Sequence, residues 1–246
     1  MLRTIIAYAK LLAFFAHSAL WLSLTMLVAL RHPDSFEYYR VAGVWIRGIL
    51  KIFGVGLRVE GLENIAPGGR YVILANHRSQ LDPPCIGVAL FPRVTRWVSK
   101  IELRRVPLLG SALVATGQIF IDRGNSNAAV DELRRHRNDR DVLICFFPEG
   151  HRSSTRELLP FKKGGAAFAI SAGLPVVPVA VSGSEKVLPN HSIISKPGIV
   201  RVAFGNPIPT DGLTQADAGA LTECVRVEMQ KMLNEMEGPG SAAKAA

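Results

Sequence analysis

The chain has 246 residues, 48% of them hydrophobic, and a formal net charge of +9, room for one sizeable α/β domain with an appendage. The basic residues are scattered, aromatics are few and no nucleic-acid-binding signature occurs, so the charge argues for anionic lipid and against nucleic acid. Cys85, Cys145 and Cys224 lie far apart, with no C-x-x-C pair or zinc spacing, which argues against a metal site and for buried reduced thiols in a cytosol-facing domain.

Residues 11–30 read LLAFFAHSALWLSLTMLVAL, without a fixed charge and about as long as a helix needs to cross a bilayer. Arg3 and Lys10 could form the charged start of a signal peptide. The apolar stretch is too long for that, and no small-residue cleavage site follows it before Arg31-His32-Pro33. A retained anchor is the expectation. Residues 36–53 carry Arg40, Arg47 and Lys51 on one helical face and Trp45, Ile46, Ile49, Leu50 and Phe53 on much of the other. Two readings stand equally for that segment alone, a basic interfacial helix or a helix packed on the core with a solvated edge; the preceding hydrophobic stretch favours the first. Basic residues flank the stretch on both sides, so orientation stays open between a single span and a two-helix unit dipping into one leaflet.

Beyond residue 58 short apolar runs alternate with helical stretches. Strands are expected at 71–75, 97–99, 118–121, 142–147, 176–181 and 200–204, and helices at 83–90, 107–115, 128–137 and 165–172, an α/β sheet with flanking helices. Leu221, Val225, Met229, Met232 and Met236 recur at three- and four-residue spacing, the stripe of a core-facing helix. The boundaries expected are membrane-anchoring helices at 1–57, a catalytic domain at 58–237 and a disordered tail at 238–246.

Three polar clusters each follow an apolar strand, where open α/β sheets bind ligands. In the first, His77 and Asp82 are separated by four residues, close enough for the carboxylate to fold back on the imidazole and make it a general base. Pro83 and Pro84 then suit a helix N-capped by Asp82. The second cluster is Asp122-Arg123, whose cation suits a phosphate or carboxylate. The third is Pro148-Glu149-Gly150-His151-Arg152-Ser153, in which Glu149 and Arg152 could pair across the turn and order a loop. Lys162-Lys163-Gly164-Gly165 opens another helix and is a weaker anion signal.

These residues carry a family resemblance in four ordered blocks between about residues 70 and 182. The first runs from Asn76-His77 to Asp82. Lys100-Ile101-Glu102-Leu103, Val106-Pro107 and 117–123 form the second, 147–153 the third and Val177-Pro178-Val179 the fourth. Together they resemble the glycerolipid acyltransferases of the lysophosphatidic acid acyltransferase type. The resemblance implies a mixed sheet flanked by helices, of the glycerol-3-phosphate acyltransferase-like kind, behind an N-terminal hydrophobic helix or two-helix membrane unit. It also implies acyl transfer from acyl-CoA or acyl carrier protein to the sn-2 hydroxyl of a lysophospholipid, without cofactor or metal. His77 and Asp82 would be catalytic, Arg123 and Lys100 would bind the acceptor phosphate, and Glu149, Gly150 and Arg152 would complete the acceptor site. Where the family usually carries threonine this chain has His151, which loosens the choice of acceptor; a lyso-ornithine lipid is the nearest alternative. A lipid hydrolase lacks its G-x-S-x-G elbow here, and intact polar clusters argue against a non-catalytic scaffold.

Overall fold

The computed structural model describes residues 2–32, 37–122, 131–133, 135, 142–153, 155 and 157–238. Helix α1 (Leu2–Arg31) is followed by α2 (Glu37–Phe53). The pair forms an antiparallel hairpin: Phe14 packs on Phe53, His17 Nε2 meets the Trp45 carbonyl at 3.0 Å, and Trp45 Nε1 donates to Ser18 Oγ at 3.1 Å. Such polar bonds fix two helices in register where apolar packing alone would let them slide. Helix α1 is the one helix among the described residues long and apolar enough to cross a membrane. Of the two readings of α2, the structure shows the helix packed on the core with a solvated edge: Ile49, Leu50 and Phe53 sit in the core while Arg40, Val44, Arg47 and Lys51 form an exposed stripe.

The rest is β1 (Val55–Glu60), β2 (Val72–Ala75), α3 (Asp82–Leu90), β3 (Val94–Lys100), α4 (Leu109–Ala115), β4 (Ile119–Ile121), β5 (Val142–Phe146), α5 (Gly164–Ala172), β6 (Val176–Ser182), α6 (Ser184–Val187), β7 (Gly198–Phe204) and α7 (Ala218–Glu237). The seven strands form one sheet in the order β1-β7-β6-β2-β5-β3-β4. It is mixed, as the resemblance implies: β6 and β7 run antiparallel and every other neighbouring pair runs parallel. Leu74 sits opposite Phe146 on one side and Pro178 on the other, which sets the register around β2.

Strands β2, β5 and β6 are buried at every position, as Val- and Ile-rich strands are when both faces are covered. Their side chains alternate between two cores. Ile73, Cys145, Val177, Val179 and Val181 face α2 and α3; Val72, Leu74, Ile144, Phe146, Val176 and Ala180 face α5 and α7. The Leu221, Val225, Met229, Met232 and Met236 stripe of α7 is buried on that second side. Parallel pairing brings the carboxyl ends of β2, β3, β4, β5 and β6 to one end of the sheet.

Some expectations change. Strand β1 was not anticipated, because Gly56, Arg58 and Glu60 dilute its apolar residues and it sits at the sheet edge. Cys224 is exposed, unlike Cys85 and Cys145, since it lies on α7 just before the buried Val225. The helix expected at 128–137 falls largely outside the described residues, as does the tail beyond 238.

Candidate active site

The first polar cluster leaves β2 at its carboxyl end. Asn76 anchors the departure: its amide donates to the Val181 carbonyl at 2.9 Å and accepts the Val181 N–H at 2.7 Å, continuing the ladder to β6 through a side chain. His77 then turns back, and its Nδ1 lies 2.8 Å from Asp82 Oδ2. A carboxylate only accepts, so Nδ1–H is the donor to Asp82 and Nε2 is left outside that bond. The His77 side chain is 17% exposed and that of Asp82 fully buried, so the carboxylate is shielded while the imidazole stays accessible.

Asp82 acts differently from the helix cap anticipated. It is the first residue of α3 and makes no capping bond into the helix. Oδ2 instead reaches back to accept the N–H groups of Arg78 and Ser79, at 2.7 and 2.8 Å, together with the imidazole. The prolines explain this direction, since Pro83 and Pro84 offer no N–H groups to cap. Asp82 Oδ1 is buried with no hydrogen-bond partner among the described residues. Ser79 Oγ donates to the Leu188 carbonyl at 2.8 Å inside the protein, a structural role.

The third cluster holds the first in place. Glu149 Oε1 accepts the His77 N–H at 2.7 Å, Oε2 accepts the Leu159 N–H at 3.1 Å, and Ser153 N–H donates to the His77 carbonyl at 2.7 Å. Both main-chain groups of His77 are therefore fixed by the 149–153 loop. Burial pushes the Glu149 carboxyl above its ordinary value, and the N–H bonds from His77 and Leu159 and the charges of His77 and Arg78 offset part of that shift. The anticipated Glu149–Arg152 pair does not form among the described residues, because both carboxylate oxygens are committed to main-chain donors. Gly150 adopts φ +80°, and a Cβ there would lie 3.1 Å from Lys162 Cε and 3.3 Å from Nζ, so this ammonium rests against the loop.

An aromatic ladder completes the site. Phe147 stacks on the His77 ring at 4.0 Å and 16°, and Trp97 of β3 stacks on Phe147 at 5.2 Å and 19°. The ladder fixes the plane of the imidazole and gives its cationic form a π-face. Sequence reading missed Trp97, an ordinary strand residue by pattern, and also Glu237, which lies 159 residues from the Arg78 it bonds. Lys100 ends β3, exposed, at the same end of the sheet as His77. Arg152 is half-buried in the third cluster, and Arg123 lies outside the described residues. No group of three or more metal-binding side chains occurs among the described residues.

Comparison with known proteins decides the family. The Acyltransferase family model matches residues 56–182, a span containing every site residue named above except Leu188 and Glu237. The chain belongs to the acyltransferase family. Among relatives, this acyltransferase is 36% identical over 193 residues to the 1-acyl-sn-glycerol-3-phosphate acyltransferase of Saccharomyces cerevisiae, covering 75% of the chain and 62% of that protein. It is 30% identical over 208 residues to the human 1-acyl-sn-glycerol-3-phosphate acyltransferase alpha, covering 83% of the chain and 73% of the relative. The fold is that of the crystal structure of the 1-acyl-sn-glycerophosphate (LPA) acyltransferase PlsC from Thermotoga maritima. The two superpose with a TM-score of 0.79 at 23% identity, over 96% of this chain and 98% of the other.

Proposed function

We propose that the acyltransferase moves a fatty acyl group from an acyl thioester to the sn-2 hydroxyl of 1-acyl-sn-glycerol 3-phosphate, giving phosphatidic acid. The observation that carries this reading is the 2.8 Å contact of His77 Nδ1 with buried Asp82, which leaves Nε2 as a partly exposed base. Nε2 takes the hydroxyl proton as the oxygen attacks the thioester carbonyl, and Asp82 stabilises the imidazolium. When the tetrahedral intermediate collapses, the carbon–sulfur bond breaks and the imidazolium returns the proton to the departing thiolate. Ser79 is committed to Leu188, so the transfer is direct and needs no acyl-enzyme.

The N–H groups of His77, Arg78 and Ser79 are engaged by Glu149 and Asp82, and those of Gly150 and Ser153 by the Phe147 and His77 carbonyls, so oxyanion donors fall to the other N–H groups of the 149–153 loop. Glu149 serves as the clamp on His77 within the acceptor site. Arg123 and Lys100 are assigned to the acceptor phosphate by family resemblance, and Lys162 adds a third cation beside Gly150. The donor is acyl-CoA or acyl carrier protein. The apolar α1 holds the enzyme on the bilayer that supplies the acceptor, and the unpaired cysteines suit a domain facing the cytosol.

Thiol release from both donors against a panel of lyso-lipids, with products identified by mass, tests the reading. The expected result is phosphatidic acid from lysophosphatidic acid, with turnover lower by about 10²–10⁴-fold in His77→Ala, the range for a positioned general base. Near-normal turnover in the folded variant would reject His77 as the base. Release only with a lyso-ornithine lipid would reassign the acceptor.

A further inference from the structure

We propose that the two loops flanking His77 form a rim that contacts the surface of an anionic bilayer, separately from the apolar helix α1. The proposal rests on the reading of α1 as a membrane anchor.

One flank follows β3. Residues 100–107 are all exposed, and among them Ile101, Leu103 and Val106 stand beside Lys100, Arg104 and Arg105, with Glu102 the one acid. The other flank joins β6 to β7, where Ile193, Ile194 and Ile199 are exposed alongside Lys186 and Lys196, with Glu185 half-buried. These six aliphatic side chains are between 38% and 51% exposed, at the end of the sheet that carries the active site. Strand β6 borders β2 on one side and β3 lies beyond β5 on the other, so the flanks straddle His77.

Isolated exposed aliphatics are common, but two clusters framing one site and mixed with cations mark a contact surface. Continuity with α1 identifies the occupant. Lys10 Nζ of α1 donates to Ser195 Oγ in the second flank at 2.9 Å, and α1 packs on α4, which directly follows the first. The helix that exposes Leu12, Phe15, Leu20 and Leu24 thus touches the second flank directly and the helix that follows the first. A lipid surface meeting α1 meets them too, offering acyl chains to the aliphatics and anionic headgroups to the lysines and arginines. An acidic protein would satisfy the cations but would leave unexplained why aliphatics lie on both sides of the site against one apolar helix. Leu108 and His191 are the two non-glycine residues with positive φ among the described residues, at 64° and 61°, one at each flank. Strain of that kind persists where the surroundings enforce a particular loop shape.

The test labels single cysteines in the full chain with an environment-sensitive fluorophore, in a Cys224→Ser background because Cys224 is the exposed thiol. Leu103→Cys and Ile193→Cys report the rim, Leu20→Cys reports α1, and Asp211→Cys reports the opposite end of the sheet. With phosphatidylcholine–phosphatidylglycerol vesicles carrying a spin-labelled quencher lipid, emission at 103 and 193 should fall severalfold and at 211 should not. Quenching at 20 without quenching at 103 and 193 would overturn the rim and leave the anchor standing. An unquenched position 20 would overturn the anchor, while 103 and 193 still decide the rim. Labels that ignore vesicles and shift only on adding an acidic carrier protein would assign the flanks to a protein partner and overturn the lipid proposal.

Discussion

Glu149 is the residue on which the placement of the His77 ring depends. Its two oxygens hold the His77 and Leu159 N–H groups, and an amide in its place can accept only one of them, turning its own N–H₂ toward the other donor. Glu149→Gln should therefore cost about 1–3 kcal/mol of stability. It should also lower kcat about 10–100-fold, because a small displacement of a catalytic group is costly. Thermal melting in detergent and steady-state kinetics check both, and an unchanged kcat would remove Glu149 from the positioning of His77. The raised carboxyl value adds a pH signature. The folded state binds this proton more tightly than the unfolded chain, so the contribution of Glu149 to stability falls as pH rises from its ordinary 4.5 through the raised value, and recovers below 4.5. Relative to the Gln variant, the wild-type melting temperature should decline with rising pH across that window; a flat difference would refute the shift. The His77–Asp82 contact was legible in the sequence because its partners are separated by only four residues. The clamp was not, since a sequence separation of 72 from His77 to Glu149 leaves no periodic trace and the donor is a main-chain N–H.

At the scale of elements, α7 ties the active-site turn to the sheet. Glu237, its last residue, accepts from Arg78 Nη1 at 2.5 Å and from Ser182 Oγ at 2.8 Å, while Arg201 of β7 donates to the Met236 carbonyl at 2.7 Å and pairs with Glu60 of β1. Arg78 is almost fully buried, so the pair acts in a setting where screening is weak and a lost partner costs more than on the surface. Glu237→Ala should lower stability by about 2 kcal/mol, the middle of the range for hydrogen bonds to charged groups. In a domain of this size that is a fall of about 4–8 °C in melting temperature. The buried methionine stripe keeps α7 docked, so the fold itself should survive. An unchanged melting temperature would mean that the contact contributes nothing. The stripe made α7 readable from sequence and continuous Val/Ile runs did the same for β2, β5 and β6, because both are local patterns of period 3.6 or of unbroken hydrophobicity. Strand β1 escaped because an edge strand needs neither, and the contact of Glu237 with Arg78 joins two elements no periodicity connects.

For the whole molecule, charge and hydrophobicity act over different distances. The net charge of +9 and the exposed Arg40, Arg47 and Lys51 stripe on α2 attract an anionic surface over a Debye length, about 10 Å at 0.1 M salt and about 3 Å at 1 M. The apolar face of α1 acts only on contact, and salt does not weaken it. Capture and retention should therefore respond differently to ionic strength. In stopped-flow mixing with phosphatidylglycerol-containing vesicles, the association rate should drop at least about tenfold between 0.05 and 0.5 M salt, as for other electrostatically steered encounters. Protein already bound should still sediment with the vesicles after a 1 M wash. Release by that wash would mean that attachment is electrostatic throughout and that α1 does not enter the hydrocarbon. A rate indifferent to salt would mean that the basic stripe on α2 faces away from the lipid, leaving α1 to find the bilayer unaided.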